Sequence, residues 1–234
     1  MRTELLHEDS NVRLTIARNE SEHLTLCFTG VGHAMGGVDV QDEEFHRASS
    51  GATAVYVIDK HRSWGNRLDF PDIARRLAPL AAGRRVCALG NSMGGFLAIL
   101  MSRFMALQSV VAIVPQFSVS KAVVPSEDRW DRYVDQIREW RYESLEGSFL
   151  PGTNYYVLAG YTALESRQLD LFPSAPNIHK IFFQGRRFEH NVAMELKAAG
   201  LLYPVIADCF NGSTGEQVVE RHLVANGFQA RVAP

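Results

Sequence analysis

The stretch RVCALGNSMGGFLAILM, residues 85–101, decides how the rest of the chain is read. Its first five residues, Arg85 to Leu89, form an apolar, strand-like run, and from Met93 the pattern turns strongly helical through Leu107. Between the two lies Gly90-Asn91-Ser92-Met93-Gly94, a G-x-S-x-G pentapeptide at a strand–turn–helix junction. A side chain at the tip of such a turn sits in strained backbone with little room around it. Glycines at 90 and 94 remove the β-carbons that would collide there. The serine oxygen then projects beyond the strand end, near the positive end of the following helix.

Outward from this junction the same alternation repeats. Apolar strands are expected at His23–Thr29, Ala54–Ile58, Arg85–Leu89, Val110–Val114, Tyr155–Ala159 and Ile178–Phe183, with helices at Asp72–Ala82, from about Glu165, and at Asn191–Ala199. A short helical stretch is expected around Glu43–Ala48, a last short strand through Pro204–Ala207, and a terminal helix over Glu216–Asn226, capped by Ser213 or Thr214 and stopped by Gly227. Two alternating runs within Glu4–Arg18, split by Asp9-Ser10-Asn11, read as a β-hairpin. Strand–helix alternation implies a single α/β domain over residues 1–234, a mostly parallel sheet covered on both faces in three layers. Its working loops lie at the carboxyl ends of the strands. Residues 116–153 interrupt the rhythm. Over Glu127–Glu146, Trp130, Tyr133, Val134, Ile137 and Trp140 recur at three- and four-residue steps, which predicts an amphipathic helix. That helical insertion either packs its aromatic face on the body or caps the active site.

In this setting LGNSMGGF resembles the nucleophile elbow of the α/β-hydrolase superfamily, and the strand–helix order is similar across nearly the whole chain. The resemblance implies the chain order serine, acid, histidine, with acid and base in the loops after the next-to-last and last core strands. It also implies an oxyanion hole made by the residue after the nucleophile and by the loop after the first parallel strand. The nucleophile is then Ser92. Of the histidines after it, His179 begins a strand at the wrong edge of the sheet and His222 sits within the terminal helix. His190, in the loop following Ile178–Phe183, holds the family position for the base. The acid is expected in the loop Gly160–Leu169. The superfamily usually has aspartate two to four residues past the strand, where this chain has Tyr161, Thr162 and Ala163. Glu165 is the carboxylate in that loop, with Asp170 as the alternative. The oxyanion donors implied are the amide of Met93 and those of Gly30, Val31 and Gly32. His33, Trp64 and Gln116 follow carboxyl ends of expected strands and are candidates for lining a substrate pocket.

Composition narrows the partners. The 24 basic and 26 acidic residues give a net charge of −2 with no long block of either sign, so neither nucleic acid nor an anionic membrane is an implied partner. A small-molecule or acylated substrate is expected. No apolar run approaches a membrane span, the first ten residues carry charges in place of an apolar signal core, and the three cysteines, Cys27, Cys87 and Cys209, show no CxxC spacing. Buried free thiols and a cytoplasmic location are expected. There is no HExxH and no paired Cys/His spacing, so neither a metal nor a cofactor is expected. The reading is a serine hydrolase acting on a carboxylic ester or related acyl bond through an acyl-enzyme. Acyl transfer by the same residues and a non-catalytic binding module on the same fold are the alternatives. A nucleotide-binding oxidoreductase is a further rival, because Gly30-Val31-Gly32 and Asp59 imitate a dinucleotide fingerprint. Against it, Met35 occupies the third glycine's place and no tyrosine-x-x-x-lysine pair appears downstream.

Overall fold

The computed structural model describes residues 3–32 and 41–233. Nine strands form one sheet in the order β1-β2-β4-β3-β5-β6-β7-β8-β9. They are β1 (Glu4–Glu8), β2 (Val12–Ala17), β3 (His23–Phe28), β4 (Thr53–Asp59), β5 (Arg85–Asn91), β6 (Ser109–Ile113), β7 (Asn154–Gly160), β8 (Ile178–Phe183) and β9 (Ala230–Val232). The strands β4, β3, β5, β6, β7 and β8 run parallel to one another, while β1, β2 and β9 pair antiparallel at the two edges. Asp9 closes the β1–β2 hairpin by accepting hydrogen bonds from the amides of Asn11 and Val12.

Every residue of β4 and of β6 is buried, so both faces of the sheet are covered. The helices are α1 (Phe70–Ala81), α2 (Met93–Met101), α3 (Asp131–Val134), α4 (Ala163–Leu169), α5 (Val192–Ala198), α6 (Leu202–Phe210) and α7 (Gly215–Val218). All nine residues of α2 are buried, which explains a helix that is apolar on every side, whereas α1 buries only Phe70, Ile73 and Leu77. The three cysteines are free and buried.

Three expectations need correction. The long helix over Glu127–Glu146 is replaced by irregular chain with one helical turn, α3. Its aromatic residues take separate partners: Trp130 faces Trp64 and His190, and Tyr142 packs edge-on against Phe70 and Phe104. The side chain of Asn66 meets the Tyr142 backbone, accepting from its amide at 2.8 Å, so that group is satisfied without a helix. Pro204–Ala207 belongs to α6, not to a strand. Pro204 stands in the first turn, where its missing N–H costs nothing, and Leu202, Val205, Ile206 and Cys209 form the buried stripe. The last strand is instead β9. The terminal helix begins as α7 on the Thr214 capping box and continues as a π turn, Val219–Leu223.

Close packing at the centre depends on two glycines. A β-carbon on Gly94 would lie 2.1 Å from the Phe28 carbonyl oxygen at the end of β3, and one on Gly90 would lie 2.1 Å from the Gly94 backbone. Gly94→Ala is therefore expected to destabilise the fold by about 3 kcal/mol or more, as overpacking against immobile backbone does, a loss read directly from urea unfolding midpoints.

Candidate active site

Ser92 stands between β5 and α2 with φ 56° and ψ −122°, a left-handed conformation that a non-glycine residue adopts only when its surroundings impose it. Its amide donates to the Ile113 carbonyl at 2.8 Å, tying the elbow to the neighbouring strand β6. Its hydroxyl is nearly buried and projects beyond the carboxyl end of the sheet.

His190 comes from the loop after β8, between a 3-10 turn (Arg186–Phe188) and α5, and it too has a positive φ, 52°. A β-carbon on Gly160 would lie 2.5 Å from the Phe188 carbonyl oxygen, so the end of β7 and the histidine loop are in tight backbone contact. His190 Nε2 lies 2.9 Å from Ser92 Oγ. Its Nδ1 lies 3.0 Å from Glu165 Oε1. Glu165 is in the first turn of α4, whose N-cap Thr162 accepts the Glu165 amide at 3.3 Å. A carboxylate only accepts, so Nδ1–H donates to Glu165 and the bare Nε2 accepts from the Ser92 hydroxyl. Burial pushes the Glu165 carboxyl up, but hydrogen bonds and charge from His190 and Arg129 outweigh it and hold its pKa below the usual carboxylate range.

Asp170, the alternative acid, is the C-cap of α4, and no hydrogen bond joins it to His190 among the described residues. Of the expected oxyanion donors, Gly30 is already engaged: its amide donates to Glu44 at 3.2 Å. The amides of Val31 and Met93 have no hydrogen-bond acceptor among the described residues, and both residues are buried beside Ser92's turn. Gly32 lines the same cleft and carries a positive φ.

The pocket candidates fare differently. His33 lies outside the described residues. Trp64 and Gln116 are fully buried and do not line the cleft. They form a chain behind Ser92 instead, with Trp64 Nε1 donating to Gln116 Oε1 at 3.1 Å and Gln116 Nε2 donating to Ser92 Oγ at 3.3 Å. The cause is the turn after β4, where the buried Asp59 carboxylate accepts from the amides of His61, Ser63 and Gly65 and turns the Trp64 indole inward. That commitment also removes Asp59 from any ribose-binding role.

The cleft that opens on Ser92 has a volume of about 430 Å³ and is walled by Val31, Trp130, His190 and Met194. Sequence reasoning did not place Trp130 or Arg129 at the site. The Trp130 ring lies 5.2 Å from the His190 ring, and Arg129 Nη1 donates to Glu165 Oε1 at 2.6 Å. Asp42, Glu43 and Glu44 give the cleft an acidic rim, with neither lysine nor arginine among the described lining residues. Burial pushes the Glu44 carboxyl up to about 7. Arg186 and Arg187 stay outside this cleft. No group of side chains suited to hold a metal ion occurs among the described residues.

No protein-family model matches the sequence, and no curated protein is significantly similar to it. Solved structures are similar in fold. The capsule O-acetyltransferase of Neisseria meningitidis serogroup A has a TM-score of 0.59 at 13% identity, covering 86% of this chain and 93% of that one. An α/β serine hydrolase homologue from Coxiella burnetii has a TM-score of 0.52 at 11% identity, covering 87% and 96%. A puromycin-hydrolysing peptidase from Mycobacterium tuberculosis has a TM-score of 0.55 at 14% identity, covering 92% of this chain and 39% of that one. Together with the strand order, these likenesses establish the α/β-hydrolase fold. No helix among the described residues is long and apolar enough to cross a membrane.

Glu165 and Glu127 are both buried with pKa values held down, Glu127 by its bonds to Arg129 and Gln168 against the upward push of burial. A carboxyl whose folded pKa is depressed contributes stability that is present above its unfolded value of about 4.3 and is lost as pH falls through the folded value. Urea midpoints should therefore fall steeply below about pH 4. Glu127→Gln should flatten that fall relative to the unsubstituted protein.

Proposed function

We propose that this α/β-hydrolase-fold protein is a serine hydrolase that cleaves a carboxylic ester or related acyl bond through an acyl-enzyme on Ser92. The observation that supports this best is the continuous run of hydrogen bonds from Ser92 Oγ through both nitrogens of His190 to Glu165. A hydroxyl is a weak nucleophile at neutral pH, and a bare imidazole nitrogen at 2.9 Å can accept its proton as it attacks. As the Oγ–carbon bond forms, the proton moves to Nε2, and the charge developing on the carbonyl oxygen falls to the amides of Met93 and Val31. Each such donor is typically worth about 3 kcal/mol of transition-state stabilisation. The tetrahedral species then breaks its bond to the leaving group, which takes the proton from Nε2. A water, deprotonated by the same nitrogen, then attacks the acyl carbon, and as the bond to Oγ breaks Oγ recovers the proton from Nε2 and the acid leaves.

The His190 side chain is 25% exposed on the cleft, so water has a route to the acyl-enzyme, and this favours hydrolysis. Transfer to an alcohol acceptor would use the same residues. The likeness in fold to an O-acetyltransferase keeps it as the second reading. The acidic rim favours a neutral or cationic substrate over an anionic one. No step requires a cofactor.

Turnover of p-nitrophenyl esters and labelling by a fluorophosphonate test this. Ser92→Ala should lose both, with a rate fall of roughly 10⁴-fold or more and an unchanged circular-dichroism spectrum. Glu165→Gln should slow turnover by roughly 10³- to 10⁴-fold, and Asp170→Asn should leave it unaltered. A wild-type protein that neither turns over nor takes the label would turn the reading toward a binding module. Added alcohols that divert product from acid to ester would favour acyl transfer.

A further inference from the structure

Glu127, Arg129 and Gln168 do not touch Ser92, yet they converge on the carboxylate that serves His190. Oε1 of Glu165 accepts from Arg129 Nη1 at 2.6 Å and from His190 Nδ1 at 3.0 Å, so one oxygen has two donors. Arg129 also grips Glu127 side-on with its two other nitrogens, Nε to Oε1 at 2.8 Å and Nη2 to Oε2 at 2.6 Å. Gln168 holds the far side, donating to Glu127 Oε2 at 2.8 Å while its own Oε1 accepts from the amides of Phe117 and Ser118. The side chains of Glu165 and Glu127 are 1% and 4% exposed, and that of Arg129 19%.

The charge count of this buried group has a consequence for the base. With His190 neutral, two carboxylates and one guanidinium sum to −1. A proton on His190 brings the sum to zero. Without Glu127 the resting group would be neutral and the protonated one would carry +1, in surroundings where unbalanced charge is costly.

Building on the roles proposed above for His190 and Glu165, we infer that Arg129 and Glu127 are a pair of positioning residues for the catalytic dyad. Arg129 locks the orientation of Glu165, and Glu127 cancels the charge Arg129 brings, so the site reaches neutrality when His190 is protonated. The lock suits an acid carried on a helix. Glutamate has one more rotatable bond than aspartate, and the second donor fixes the oxygen that faces Nδ1. The same short segment also reaches the base, since the ring of Trp130, next in the chain, lies against His190. Other ionisable groups around His190 are Asp42, Glu43 and Glu44 across the cleft, and Arg186, Arg187 and Glu189 on its own loop. None of them hydrogen-bonds to its ring among the described residues.

The two charges predict opposite effects, which a merely structural brace does not. The His190 titration midpoint, followed by NMR of the imidazole in the full chain, needs no substrate. Arg129→Met should raise it by about one pH unit and Glu127→Gln should lower it by a similar amount. The double variant should return near the wild-type midpoint, and Arg129→Lys, which keeps the charge, should stay close to it. The acid limb of fluorophosphonate labelling at Ser92 should move the same way. Shifts in the same direction, or loss of rate with an unmoved midpoint, would overturn the inference. Should Arg129→Met fail to fold, Glu127→Gln and Arg129→Lys decide the matter on the same readout. An unlabelled Ser92 in the wild type would count against the proposed chemistry alone, because the NMR titration still reports on the charge pair.

Discussion

The close approach of backbone to backbone at the Ser92 turn is the constraint on which the rest of the structure depends. Ser92 is held in a conformation that costs about 1–3 kcal/mol for a non-glycine residue. It persists because β5 is hydrogen-bonded on both sides and α2 is buried on every side. The contact between Gly94 and the Phe28 carbonyl also brings the end of β3 against the start of α2. One packing event therefore places the Ser92 hydroxyl and the Val31 amide in the same corner. His190 shows the same pattern, with its own positive φ and a glycine, Gly160, beneath its loop.

Much of the fold is legible in the sequence. The central strands are long apolar runs because they are covered on both faces, and the serine and histidine follow such runs directly. Glu165 stood out because the places usual for the acid hold Tyr161, Thr162 and Ala163, leaving one carboxylate in the loop. What failed to show was whatever depends on partners far away in sequence. The three- and four-residue spacing over Glu127–Glu146 is real, but its Trp130 packs on Trp64 and His190 while Tyr142, outside that spacing, packs on Phe70, and local periodicity loses to those tertiary contacts. Trp64 and Gln116 follow strand ends as pocket residues should, but Trp64, in the turn held by the buried Asp59, bonds to Gln116 behind the serine. Strand β9, only three residues long, has too little pattern to be seen.

Burying Glu165 sets an electrostatic problem, since a carboxylate removed from water is costly unless it is well supplied with donors. The protein meets it with one charged donor, one imidazole and a helix N-terminus around Glu165. The resulting network reaches from α4 into the irregular 116–153 segment through Arg129 and Gln168. That segment is therefore attached to Glu165 electrostatically as well as by apolar packing.

The antiparallel pairing of β9 on β8 bears on how the chain acquires its shape during synthesis. β8 presents an open row of backbone donors and acceptors until residues 230–232 have emerged, although the histidine loop it supports is complete some forty residues earlier. A nascent chain halted in that interval would already carry Ser92, Glu165 and His190 and yet display an unpaired border open to pairing with another chain.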